Sequence, residues 1–112
     1  MPVIDPNTFN ELKQLSGEDF INELIDTFLE DAPKMIAEIQ SALAANNAEE
    51  FRRAAHSMKS NAATFGASGL SALTKELEML GKENRLTETG DRLQRLEEAY
   101  ASVRDELEGL KS

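Results

Sequence analysis

The chain has 112 residues, 40% hydrophobic and 29% charged. That is the size and composition of one ordinary globular domain, expected to span residues 1–112. A net charge of −9 disfavours nucleic acid and anionic membrane surfaces as partners, since both need clustered Lys and Arg, and the lack of cysteine removes disulfides, thiolate nucleophiles and thiolate metal ligands.

Apolar residues follow helical spacing almost throughout, so strands are not needed. A short first helix starts at Pro6-Asn7, carries Phe9, Leu12 and Leu15, and ends at Ser16-Gly17. A second helix runs from about Glu18 to Ala45 on a stripe of Ile21, Leu24, Phe28, Ala32, Met35 or Ile36, Ile39 and Leu43. Pro33 lies inside that stripe and predicts a kink or a break. Asn46-Asn47 makes a turn. Asn47 caps a third helix with Glu49-Glu50 in its first turn, where carboxylates suit the helix dipole. Its stripe is Phe51, Ala55, Met58, Ala62 and Phe65, and Gly66 ends or bends it. A fourth helix from about Ser68 turns Leu70, Leu73, Leu77 and Leu80 inward, and Gly81 to Thr87 reads as a loop. The last helix, from about Thr89 to Leu110, has the most regular stripe: Leu93, Leu96, Tyr100, Val103, Leu107 and Leu110.

Four amphipathic helices with short connections predict an all-α fold: an up-down-up-down four-helix bundle with a short additional N-terminal helix. The regular last stripe also suits a coiled-coil seam, but it spans few heptads and is better read as intrachain core. No run is long enough to cross a bilayer. The start, MPVIDPNTFNELK, lacks the basic-then-apolar pattern of a signal peptide, so a cytoplasmic location is expected.

His56 is the only histidine. It sits one residue, about 100° around the helix, from the core position Ala55. Its neighbours are Arg52, Arg53, Lys59 and Ser60. This places it on or beside a solvent-facing strip, in a basic cluster on an acidic chain. Spacing alone also suits an ordinary surface histidine among solvated cations. Several chemistries fall away. The di-iron bundle pattern needs Glu three residues before His, where Arg53 stands, and zinc needs more ligands than one. No nucleophile elbow is present, and no glycine-rich loop for ATP phosphates. What remains is nucleophilic imidazole, whose neutral form carries a ring-nitrogen lone pair able to attack phosphorus. Lys59, one turn on, is placed to offset the charge of a transferred phosphoryl group.

The run Ala55-His56-Ser57-Met58-Lys59-Ser60-Asn61-Ala62-Ala63-Thr64-Phe65-Gly66-Ala67 resembles the signature of histidine phosphotransfer (HPt) domains of two-component phosphorelays: His, Lys three later, a small residue next, and Gly ten after the His. Leu70, the Leu77-Glu78 pair and Asp31-Ala32-Pro33 also match the family pattern, and the resemblance covers essentially the whole chain. One departure is Ser60, where the family most often has Gly; the physical need there is close approach of a partner, which one hydroxyl should not block.

The resemblance implies that His56 is the phosphoacceptor and that Lys59 lies beside the phosphoryl group. It implies that Ser60, Ala63, Gly66 and Ala67 keep the nearby surface flat for a docking receiver domain, although helix packing also asks for small residues. Glu78 falls where the family commonly has an acidic or amide residue near the ring; it would orient the imidazole, or simply be a solvated carboxylate. Arg52 and Arg53 would steer toward a receiver's acidic pocket, unless paired with Glu49 or Glu50. The family takes a phosphoryl group from a receiver aspartate and passes it to another, without kinase activity. The implied partners are therefore response-regulator receivers or a hybrid sensor histidine kinase. The chain would bind no cofactor or metal, Mg²⁺ would sit in the receiver, and a monomer would suffice. The alternatives are a chemotaxis-kinase-type domain phosphorylated directly by a kinase domain, and a non-catalytic helical interaction module. A small-molecule enzyme is disfavoured for want of an evident enclosed pocket.

Overall fold

Helix α1 (Pro6–Ser16) begins at Pro6 as the sequence expects, and the structure adds a cap, the Asp5 carboxylate accepting from the Asn7 N–H at 3.0 Å. These contacts come from a computed structural model that describes residues 3–111; Met1, Pro2 and Ser112, part of the expected domain, lie outside the described residues. Phe9 is buried and Leu12 partly so, but Leu15 is 88% exposed and does not extend the stripe.

Helix α2 (Glu18–Ala44) runs unbroken through Pro33, so the expected break does not occur. Proline removes the N–H that would bond the carbonyl four residues back, which is that of Leu29. Tyr100, from the last helix, donates its hydroxyl to that Leu29 oxygen at 3.4 Å. A tertiary bond thus replaces the missing helical one. Removing it in Tyr100→Phe is expected to cost about 1 kcal/mol, read as a lower urea midpoint at constant slope; an unchanged midpoint would mean that solvent already satisfies the carbonyl.

Helix α3 (Ala48–Thr64) is capped by Asn47, whose side chain accepts from the Glu50 N–H at 3.1 Å. Helix α4 covers Ser68–Lys82, a 3₁₀ turn covers Leu86–Glu88, and α5 covers Arg92–Leu110. Thr89, the expected start of α5, is instead buried in the preceding turn, where its hydroxyl donates to Leu86 O.

Three helix ends share one chemistry. Asn46, Gly66 and Asn84 have φ of 53°, 80° and 56°. After each, the next N–H reaches back to a carbonyl in the last turn: Asn47 to Ala42, Ala67 to Ala62 and Arg85 to Leu80, at 2.8 to 2.9 Å. The stop after α4 is therefore Asn84, and the expected loop at Gly81 is corrected. Gly81 is a buried helical residue; a Cβ there would lie 3.0 Å from the Arg52 backbone nitrogen and 3.1 Å from the Ala48 oxygen. Only glycine lets α4 approach the α3 backbone this closely.

Helices α2 to α5 pack in chain order, α2 on α3, α3 on α4, α4 on α5 and α5 back on α2, while α1 lies against α2 and α3. This is the expected bundle with its short extra helix. At about 1.5 Å per residue, the 27 residues of α2 span nearly the whole 42 Å long axis. One core joins every helix. Near its middle the Phe28 ring meets Phe65 at 5.3 Å and Tyr100 at 6.1 Å. Ile25, Ala42 and Ala54 are buried as well, widening the stripes read from the sequence.

Candidate functional site

The buried face of α3 is Phe51, Ala54, Ala55, Met58 and Ala62. The opposite face therefore carries Arg52, His56, Lys59, Ser60 and Ala63, at helical spacing along the exposed side. The His56 side chain is 54% exposed. Helix α4 buries Leu70, Leu73, Thr74 and Leu77 against the core, and this turns Glu78 toward α3. Gly81, one turn further along α4, holds the two helices in backbone contact.

The outcome is a three-residue cluster. His56 Nδ1 lies 2.6 Å from Glu78 Oε2, and Lys59 Nζ donates to Glu78 Oε1 at 2.6 Å. Only 14% of the Glu78 side chain is exposed. Burial by itself would raise its pKa, but hydrogen bonds from Lys59 and His56 outweigh that and hold it below the ordinary glutamate value. Glu78 is therefore a carboxylate at neutral pH. A carboxylate can only accept, so in the neutral ring the proton resides on Nδ1 and the Nε2 lone pair is left free on a half-exposed side chain. That is the arrangement of a nucleophile whose tautomer is fixed from behind.

Of the residues singled out in the sequence, His56, Lys59 and Glu78 are brought together. Ser60 and Ala63 are exposed on the same face of α3. Gly66 and Ala67 are not part of this surface, which corrects their assignment to a docking face: both are buried. A Cβ at Gly66 would meet Thr8 Cβ at 2.9 Å and Asp5 O at 3.2 Å, and Ala67 lies wholly within the core. Arg52 and Arg53 both engage Glu49, at 2.5 and 3.5 Å, so neither is an unpaired cation. The Arg52 hydrogen bond is the main cause of a lowered Glu49 pKa.

Sequence reasoning missed three residues beside the site. Gly81 stands where α4 meets the α3 backbone, and no local pattern marks it, since no apolar residue follows Leu80 before Asn84. Lys75 and Lys82 join Arg52, Lys59, Glu78 and Met79 around an open cleft of about 380 Å³. No helix among the described residues is long and apolar enough to cross a membrane.

Comparison with known proteins places this geometry. The family model described as Hpt domain matches residues 23–106. Over 75 residues the chain is 35% identical to the Sensor protein TorS of Escherichia coli (strain K12), a stretch covering 67% of this chain but 8% of that protein's length. The structure also resembles that of histidine-containing phosphotransfer protein B (HptB) from Pseudomonas aeruginosa PAO1. The TM-score is 0.92 with 26% identity, over 98% of this chain and 95% of that one.

Proposed function

This chain belongs to the Hpt domain family and is a histidine phosphotransfer relay intermediate, and from that premise we propose that Nε2 of His56 is the atom that carries the phosphoryl group. Hpt domains act with receiver domains and kinases of two-component systems. The observation that carries the residue assignment is that the sole histidine is half-exposed with Nδ1 tied to Glu78.

In the forward step the Nε2 lone pair attacks the phosphorus of a receiver's aspartyl phosphate. The P–N bond forms, the P–O bond to the aspartyl carboxyl breaks, and the aspartate leaves as carboxylate. The Nδ1 proton stays in place, so the phosphorylated ring becomes cationic. Glu78, already accepting from Nδ1, faces that developing charge with a full negative charge. Lys59, held by the other oxygen of the same carboxylate, supplies positive charge next to the incoming phosphoryl oxygens. Passing the group to a second receiver reverses each bond and restores the neutral ring. No ATP site is required, the Mg²⁺ resides with the receiver, and one copy of the chain suffices.

The test is transfer of label from a phosphorylated receiver domain to this chain. An acid-labile, base-stable phosphoryl bond supports the reading. Label obtained only from an ATP-loaded kinase domain would replace it with direct phosphorylation, and no label from either donor would leave a helical interaction module.

Glu78→Ala removes the group that orients the ring. The transfer rate is expected to fall about 10- to 100-fold, the usual effect of losing the hydrogen-bond partner of a working imidazole. Glu78→Gln, which keeps an acceptor at Nδ1 but no charge, should fall between the two. Equal rates for all three proteins in single-turnover transfer would remove Glu78 from the mechanism.

A further inference from the structure

On a chain with 21 acidic and 12 basic residues, almost every cation has an acidic neighbour. Lys13, Lys34, Lys59, Lys111 and all six arginines lie within 4 Å of a carboxylate. Among the described residues, the two cations without such a partner are Lys75 and Lys82. Both are exposed, both stand on α4, and both line the one cleft that also contains Lys59 and Glu78. Between them, at helical spacing, sits Met79, a large apolar side chain left 42% exposed.

We propose that Lys75, Met79 and Lys82 form a docking edge on α4 that captures the anionic reacting face of a receiver domain beside His56. The inference rests on the relay reading above. The reacting group of the partner is negative in both directions, an aspartyl phosphate as donor or a carboxylate as acceptor. A body of charge −9 repels such a surface. Screening limits that repulsion and any local attraction to about 10 Å at ordinary salt, so cations that help must stand beside the nucleophile. Arg52 and Arg53 share the single carboxylate of Glu49, whereas Lys75 and Lys82 have no carboxylate within 4 Å among the described residues and present their full charge. Met79 supplies the apolar contact that a steered encounter needs in order to persist.

The experiment compares the wild type with Lys75→Glu/Lys82→Glu in label transfer from a phosphorylated receiver, across a series of salt concentrations. Lys13→Glu/Lys34→Glu, on α1 and α2, changes the net charge equally and serves as the reference. The docking edge requires kcat/KM at low salt to fall about tenfold or more in the α4 variant relative to the reference variant. It also requires the fall of rate with salt to flatten, while the single-turnover rate at saturating receiver stays within about twofold of wild type. An α4 variant no worse than the reference, an unchanged salt dependence, or a saturating rate that falls as far as kcat/KM would overturn the docking edge and leave the relay standing. A wild type that takes no label from receivers would overturn both.

Discussion

His56→Gln is expected to fold as the wild type does and to take no label from a phosphorylated receiver. The loss should be at least ~10³-fold, because the amide has no basic lone pair with which to attack phosphorus. No second imidazole exists to substitute, His56 being the only histidine. Stability should change by less than about 0.5 kcal/mol, since the side chain is 54% exposed and a glutamine amide can still donate to Glu78. Activity and folding are thereby separated within one variant. Circular dichroism and a urea midpoint report the fold, and the label reports the chemistry. A mutant that still carries acid-labile label would move the phosphoacceptor away from His56 and remove the basis of the proposed mechanism.

Gly81→Val is expected to produce the largest loss of stability among the residues near the site. The new Cβ would stand 3.0 to 3.1 Å from the Arg52 nitrogen, the Ala48 oxygen and the Arg52 Cα. These are backbone atoms of α3 that cannot rotate aside, and valine adds two further methyl groups. Overpacking of this kind costs about 3 kcal/mol, or a drop in Tm of roughly 10 °C for a chain of this size. The chemistry should suffer as well. Gly81 lies one turn from Glu78, so pushing α4 outward at that level lengthens the 2.6 Å bonds from Glu78 to His56 and Lys59. Gly81→Ala should be milder, because alanine's better helix propensity returns about 1 kcal/mol. An unchanged Tm in Gly81→Val would show that the two helices do not meet there and that something else positions Glu78.

Much of this was legible in the sequence because each signal is local. The start at Pro6, the N-cap at Asn47, the helical stripes and the stop at Gly66 depend on neighbours within a few residues. So does the placement of His56 and Lys59 one turn apart on the same face. Leu15 shows where that logic ends: two steps of three residues from Phe9 turn it about 120° around the helix, off the buried face, and it is exposed.

Gly81 and Pro33 mislead for a related reason. Their intrinsic preferences argue for a stop or a break, and in both cases a partner helix decides otherwise. At Gly81, missing side-chain bulk permits backbone contact with α3. At Pro33, the orphaned Leu29 carbonyl finds the Tyr100 hydroxyl, 71 residues away in sequence. Gly66 and Ala67 err in the same direction, small residues whose size serves packing and not a partner surface.

By itself, the sequence determined an all-α chain of helices with known faces and a single histidine on an exposed strip, because periodicity and capping are short-range physics. Only the tertiary structure decided that Glu78 stands behind that histidine instead of being a solvated carboxylate, and which cations are left unpaired around it. Those facts depend on how closely α4 approaches α3, a distance set by one glycine whose effect no local pattern encodes.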